Sequence, residues 1–191
     1  GLPLYGLESG DPLSAFDLIG FSLGYEMAYT NVLNMLDLAG LPVRAAERTA
    51  LAPIVIAGGT CAYNPEPLSP FVDIFSLGEG EDVTVELIEL YRKAKRENWC
   101  KEKFLVAASK IPGLYVPSLY DVSYHPDGTV KAIVPQEGAA LPVTKRIVQD
   151  LSRSYYPVKT IIPSTEIVHD RVMLEVFRGC IRGCRFCQAG Y

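Results

Sequence analysis

The sequence lacks both the long apolar run of a membrane span and the dense basic run of a nucleic-acid-binding surface. No apolar stretch approaches the ~18 residues that a transmembrane helix needs. The densest basic stretch, residues 92–96, covers about one helical turn, which is typical of a solvated helix face. The net charge is −4, with acidic and basic residues interspersed. We therefore expect no membrane partner and no direct contact with nucleic acid.

A secretory signal is also absent. The chain opens with Gly1-Leu2-Pro3-Leu4, without a basic region or an initiator methionine. Its five cysteines are an odd number and three of them are clustered, which is a poor disulfide framework. We therefore expect a reducing, cytoplasmic location. Because of this opening and the short stretch after Cys187, we also expect the chain to be a piece of a longer protein.

Strand and helix patterns alternate over the first hundred residues. The predicted strands are residues 17–23, 54–57 and 72–77, and the predicted helices are residues 26–39 and 82–96. Apolar strands that alternate with helices are typical of a parallel, doubly wound sheet. The sequence therefore predicts an α/β fold for residues 1–99.

Each predicted strand runs into a turn of small residues. The small residues of these turns are Ser22, Gly24, Gly58, Gly59, Gly78 and Gly80. In open α/β sheets the ligand crevice lies at the carboxyl ends of the strands, where glycine lets the backbone approach a large ligand. These turns therefore indicate either a ligand-binding face or ordinary strand-to-helix turns, and the sequence leaves both readings open.

The stretch from residue 100 to residue 169 has a different pattern. It is rich in proline and β-branched residues and shows little helical period. Residues 120–125 and 129–134 flank Pro126-Asp127-Gly128, which predicts a β-hairpin. We interpret residues 100–169 as a β-rich connector. Residues 171–177 then predict a new buried strand, which opens a third segment over residues 170–191.

The cysteine motif Cys180-x3-Cys184-x2-Cys187 is the strongest chemical signal in the sequence. Soft thiolate ligands select iron–sulfur clusters, zinc or copper(I). A structural zinc site needs four protein ligands, whereas three thiolates on a cubane cluster leave one iron open. Zinc stays an alternative, with Cys61, Cys100 or His169 as the fourth ligand.

Residues 178–187 (RGCIRGCRFC) resemble the signature of the radical S-adenosylmethionine (SAM) superfamily. The resemblance implies that the three cysteines ligate a 4Fe–4S cluster, that SAM binds the open iron, and that Phe186 lies beside SAM. It also implies a reductant such as flavodoxin or ferredoxin. In that superfamily the motif follows the first strand of a (β/α) barrel, the place that residues 171–177 occupy here.

Three arginines flank the same cysteines. Arg178, Arg182 and Arg185 could surround an anionic cluster, and nearby positive charge raises the reduction potential of such a cluster. The alternative is that these side chains are simply solvated. The sequence does not decide between the two readings.

The first half of the chain is similar to the cobalamin-binding domain of cobalamin-dependent radical SAM enzymes. The similarity lies in residues 21–23, 56–59 and 72–81, and the whole chain resembles bacterial proteins that fuse the two domains. It implies a partial flavodoxin-like (Rossmann-like) sheet and a cobalamin face formed by the small residues of the three turns. The activity implied for the longer protein is radical cleavage of SAM, with cobalamin-dependent methyl transfer as one outcome.

The sequence departs from the cobalamin pattern in two ways. The Asp-x-His-x-x-Gly motif is absent, since neither His125 nor His169 lies in such a context. The chain also opens near the second strand of such a domain, at residues 2–7. These departures put cobalamin binding by this chain in doubt, and a non-catalytic interaction module with a cobalamin-type fold is an alternative function. Because most of a radical SAM barrel lies outside this sequence, we expect this chain alone to be inactive.

Overall fold

The computed structural model describes residues 3–159, 162–168 and 171–187. The chain separates into two units, Gly1–Val148 and Gln149–Tyr191. The first unit carries the regular secondary structure described below. The second unit carries the cysteine motif.

A four-stranded sheet forms the centre of the first unit. Its strands are β1 (Leu18–Ser22), β2 (Ile54–Gly58), β3 (Ile74–Ser76) and β4 (Leu114–Tyr115). The strands lie in the order β1-β2-β3-β4, with β1, β2 and β3 parallel and β4 antiparallel to β3. This arrangement confirms the predicted α/β fold with a parallel sheet. Because the first three strands are parallel, their carboxyl ends lie at one edge.

The sequence explains why β2 lies inside the sheet. Ile54, Val55 and Ala57 are fully buried, because helices or loops cover both faces of this central strand. The neighbouring strand β1 pairs with β2 in register from Leu18 opposite Ile54 to Ser22 opposite Gly58. β1 has no second strand partner among the described residues.

Two helices follow the first and third strands. Helix α1 (Tyr29–Leu38) is preceded by a short 3-10 turn at Glu26–Ala28, so the predicted helix at 26–39 comprises both elements. Helix α2 (Glu81–Arg96) buries Val83, Leu87, Tyr91 and Ala94. Lys93, Lys95 and Arg96 lie in the last turn of α2, where the helix dipole favours positive charge.

Both helices end in the same hydrogen-bonded motif. After α1, Gly40 has a φ of +68° and Leu41 N–H donates to the Leu36 carbonyl at 3.0 Å. After α2, Asn98 has a φ of +52° and Trp99 N–H donates to the Ala94 carbonyl at 2.9 Å. These are Schellman ends, which satisfy carbonyl groups that the helix itself leaves unpaired.

A third helix was not predicted. Helix α3 (Lys101–Ala108) lies in the stretch that we expected to show little helical period. It has only eight residues, too few for a periodic pattern to be visible, and its stability comes from packing. Phe104 is fully buried and its ring meets the Tyr91 ring edge-on, with the centroids 5.5 Å apart.

The predicted hairpin is confirmed. Strands β5 (Tyr120–Tyr124) and β6 (Val130–Pro135) pair antiparallel, with Val122 opposite Ile133. The turn has Gly128 at a φ of +86° and an Asp127 carboxylate that accepts from Thr129 N–H at 3.0 Å. The tripeptide Pro126-Asp127-Gly128 therefore predicted the position of this turn correctly.

The second unit has little regular structure. Its described part contains one 3-10 turn, Leu151–Arg153, and does not form the buried strand predicted at residues 171–177. Val172, Leu174 and Phe177 are 70–84% exposed. A strand needs a neighbour to pair its backbone groups and to cover its apolar side chains, and the described residues supply none for this segment.

None of the helices in the described part of the chain has the length and apolar character needed to cross a membrane.

Candidate cluster loop and sheet edge

The carboxyl edge of the sheet brings together the first two turns predicted to bind a ligand. Ser22 at the end of β1 lies opposite Gly58 at the end of β2. A Cβ atom at Gly58 would lie 3.6 Å from the Ser76 carbonyl oxygen at the end of β3. The three strand ends are therefore neighbours, as a parallel sheet requires.

Gly59 packs against the backbone of the first turn. Its φ is +96°, and a Cβ atom there would lie 2.7 Å from the Leu23 carbonyl oxygen. Leu23 N–H donates to the Gly58 carbonyl at 2.7 Å, and the Leu23 carbonyl accepts from Cys61 N–H at 3.1 Å. The glycine is required here because two turns of the same chain lie in contact.

Gly78 also packs against the chain itself. We call residues 143–148 the strap, because this segment crosses the turn between β3 and α2. Gly78 and Arg146 form a parallel bridge, in which Arg146 N–H donates to Leu77 at 2.8 Å and Glu79 N–H donates to Arg146 at 2.9 Å. The φ of Gly78 is +97°, and a Cβ atom there would lie 2.1 Å from the Arg146 carbonyl oxygen. The strap therefore occupies the space directly above Gly78.

Side chains fix the strap at both ends of this bridge. The Arg146 guanidinium forms an ion pair with Glu86 of α2, and Val148 N–H donates to the Glu79 carboxylate. Gly113, with a φ of +92°, lies beneath the strap, where a Cβ atom would be 3.0 Å from Arg146 Cβ. None of these contacts could be read from the sequence, because they join residues distant along the chain.

The remaining small residues of the edge have more room. No atom lies within 4 Å of a Cβ built at Gly24, and a Cβ built at Gly80 would lie 3.6 Å from the Thr84 hydroxyl of its own helix.

Close approach at Gly59 and Gly78 is to this chain and not to a ligand, which favours ordinary strand-to-helix turns at these two positions. The residues of this edge therefore do not by themselves fit a corrin. We derive no reaction step from cobalamin, and the cobalamin face stays a prediction.

Cys61, which follows the second turn, is a structural residue. Its side chain is buried, and this burial raises the pKa of its thiol. A buried thiol with a raised pKa is a poor source of thiolate. The Tyr29 hydroxyl donates to the Cys61 carbonyl at 2.8 Å, which further fixes the turn.

A buried ionic network lies at the opposite, amino end of the sheet, and sequence reasoning missed it. The Asp73 carboxylate contacts Lys101 Nζ at 2.7 Å and Arg48 Nη2 at 3.1 Å, and it accepts from Val55 N–H at 2.8 Å. The three charged residues line a cavity of about 370 Å³. Asp73 offsets one of the two positive charges, and Lys101 also donates to the carbonyls of Ala45 and Arg48. The network therefore ties α3 to the strand starts.

The cysteine loop lies in the second unit. Cys180 and Cys184 are exposed, Cys187 is half-buried, and all three are free of disulfide bonds. Gly179 and Gly183, each just before a cysteine, have φ values of +82° and +60°. The described residues do not gather three potential ligand side chains closely enough to hold a metal ion. Phe186 is 93% exposed.

One of the three arginines near the cysteines is paired. Arg178 donates through Nε to Glu175 Oε1 at 2.8 Å and through Nη2 to Glu175 Oε2 at 2.9 Å. This pair holds the pKa of the Glu175 carboxyl below its usual range. Arg182 and Arg185 form no ion pair within the part of the chain that the structure describes.

Residues 1–117 match the family model described as "Radical SAM proteins, N-terminal". The chain belongs to this family. It is also similar to an uncharacterized protein of Methanocaldococcus jannaschii, with 28% identity over 189 residues that cover 97% of this chain and 33% of the relative. The chain thus spans about a third of the length of that relative. No solved structure matches the chain.

The match to the radical SAM family is independent of the cysteine motif. The matched residues contain the sheet and its helices and end at residue 117, well before Cys180. Radical SAM proteins in general carry a 4Fe–4S cluster and SAM. The donor chemistry of the loop suits such a cluster, because three thiols stand outside disulfide bonds, although the described residues do not bring them together in one place.

Proposed function

We propose that this chain is the amino-terminal part of a radical SAM iron–sulfur enzyme, in which Cys180, Cys184 and Cys187 hold a 4Fe–4S cluster. The observation that carries the proposal is the presence of three cysteines at this spacing, none of them in a disulfide bond, in a member of the radical SAM family. When bound, the cluster would supply the electron that cleaves SAM reductively.

The residues of the loop have separate roles in this proposal. Cys180, Cys184 and Cys187 would hold the cluster through three thiolates, and the iron left without a protein ligand would be available to SAM. Gly179 and Gly183 allow the left-handed backbone that turns the chain just before Cys180 and Cys184. Phe186 offers an exposed ring on which the adenine of SAM can stack.

The proposal is tested by measuring iron and acid-labile sulfide after anaerobic reconstitution. The unmodified chain should bind about four of each. Cys184→Ala should lose most of both, because it removes one of the three ligands. Cys100→Ala is the matched control, since Cys100 is also exposed but lies at the start of α3, outside the motif. Equal iron and sulfide in both variants would contradict the proposal.

A zinc-stabilised loop is the second proposal for the cysteines. It requires a fourth ligand. Cys61 is buried and its thiol pKa is raised, and His169 lies outside the described residues. Cys100 is exposed and occupies the N-cap position of α3, in the first unit. Stoichiometric zinc without acid-labile sulfide would favour this alternative.

Cobalamin-dependent methyl transfer, a reductant such as flavodoxin or ferredoxin, and a cytoplasmic location belong to the proposal for the longer protein. The support for cobalamin is the sequence resemblance of residues 21–23, 56–59 and 72–81. Retention of hydroxocobalamin by the longer protein, with the first strand of the domain included, tests this part through its visible absorbance. If cobalamin is not retained, a non-catalytic role for the first unit, as an interaction module, is favoured.

A further inference from the structure

We infer that Glu175 is a charge-balancing and positioning residue for the cysteine loop: through its bidentate pair with Arg178 it lowers the reduction potential of a cluster bound there. This inference rests on the proposed function. It assigns a role to a carboxylate that lies outside the cysteine motif.

The geometry of the pair is specific. Both oxygens of Glu175 accept from Arg178, at 2.8 Å and 2.9 Å, from two nitrogens of one guanidinium. Such two-pronged pairs fix orientation as well as charge, because the planar fork of arginine matches a carboxylate. Arg178 precedes Cys180 by two positions, so the pair joins the segment before the loop to the loop itself.

The pair also changes the charge near the cysteines. Residues 175–187 contain three arginines and one acidic residue, so Glu175 reduces the local net charge from +3 to +2. Positive charge stabilises the reduced form of a cluster, which is the more negative one, and raises its potential. The negative charge of Glu175 should therefore lower the reduction potential of the cluster. Its side chain is 47% exposed, so solvent weakens the effect without removing it.

The test is a potentiometric titration of the reconstituted cluster in the full chain, followed by electron paramagnetic resonance (EPR). Glu175→Gln should raise the midpoint potential of the cluster. At a fixed solution potential, the ratio of reduced to oxidised cluster should increase by roughly three- to tenfold. Arg178→Gln should lower the potential, because it removes a positive charge two positions before Cys180. The double variant Glu175→Gln with Arg178→Gln keeps the original net charge and should return close to the unmodified value.

The matched control is Glu166→Gln, which removes the same charge from a carboxylate that forms no ion pair among the described residues. Its midpoint should stay close to that of the unmodified chain. A midpoint in Glu175→Gln that equals the control would overturn the inference, as would a double variant whose midpoint stays as high as that of Glu175→Gln. If the unmodified chain takes up no cluster, the proposed function itself fails and this inference fails with it.

Discussion

At the scale of single residues, the two tightest glycines of the sheet edge have roles that differ from the expected one. Gly59 and Gly78 both have a positive φ, a backbone conformation that favours glycine. The space above them is filled by the backbone of Leu23 and Arg146. Their contacts therefore stabilise the fold, whatever the edge binds.

Replacing Gly78 with alanine should destabilise the first unit. A Cβ atom would lie 2.1 Å from the Arg146 carbonyl oxygen, in a backbone conformation that alanine disfavours. Strain and overpacking of this kind cost about 2–4 kcal/mol. Urea unfolding of Gly78→Ala measures the loss, and hydrogen exchange at the Arg146 amide should show whether the strap has been released.

Gly24→Ala is the control for this substitution. No atom lies within 4 Å of the new Cβ atom there, so its free energy of unfolding should change by about 0.5 kcal/mol or less. Equal stability of the two variants would show that the strap does not pack on Gly78 as described.

At the scale of elements, helix α2 is anchored to the start of β1 by side chains. The Tyr91 hydroxyl donates to Asp17 Oδ1 at 3.0 Å, and Lys95 Nζ lies 2.8 Å from the same oxygen. The ring of Tyr91 packs at the same time against Phe104 of α3. One buried aromatic residue thus connects two helices and a strand.

The variant Tyr91→Phe should distinguish the contribution of the hydroxyl group to stability from that of the ring. The ring contact is kept and one hydrogen bond is lost, which costs about 0.5–1.5 kcal/mol. Burial, followed by the hydrogen bond to Asp17, raises the pKa of Tyr91 to about 12 in the folded chain. The tyrosine contribution to stability is therefore complete below pH ~10 and is lost as the pH rises towards 12.

The measurement for Tyr91→Phe is the free energy of unfolding between pH 8 and pH 12. The decline of stability over the alkaline range should be smaller in the variant than in the unmodified chain, because the titrating group is gone. An identical decline in both would mean that Tyr91 is not the group responsible.

How far the elements could be predicted from the sequence depended on where their stabilising contacts lie. The strands β1 and β2, the long helix α2 and the hairpin at Gly128 have local signals: apolar runs, helical periodicity and a turn motif. Helix α3 and the two-residue strand β4 are too short to give such signals. The apolar pattern of residues 171–177 is equally local, but a strand there needs a partner that the described residues do not supply.

The candidate site follows the same rule. The cysteine motif is contiguous, so its spacing alone predicted the metal chemistry that we propose. The strap over Gly78 and the network around Asp73 join residues that are far apart in sequence, so no local sequence pattern predicts them. The pairing of Glu175 with Arg178 lies within one helical turn in sequence, but only the structure shows which of the arginines has a carboxylate partner.

At the scale of the whole molecule, two separate parts of the sequence lead to one conclusion. The sheet and helices of residues 1–117 place the chain in the radical SAM family, and the cysteine motif lies beyond that match. The relative from Methanocaldococcus jannaschii is about three times as long as the region shared with this chain. The substrate and the outcome of the reaction are therefore properties to be sought in the longer protein.

The measurement that tests the central claim most directly is EPR of the anaerobically reconstituted and reduced chain, with and without SAM. We expect a 4Fe–4S signal that shifts when SAM is added, because SAM should bind the iron that has no cysteine ligand. Cys184→Ala should show neither the signal nor the shift. Stoichiometric zinc with no cluster signal would contradict the account, and a cluster signal unmoved by SAM would contradict the claim that these three cysteines leave an iron open to it.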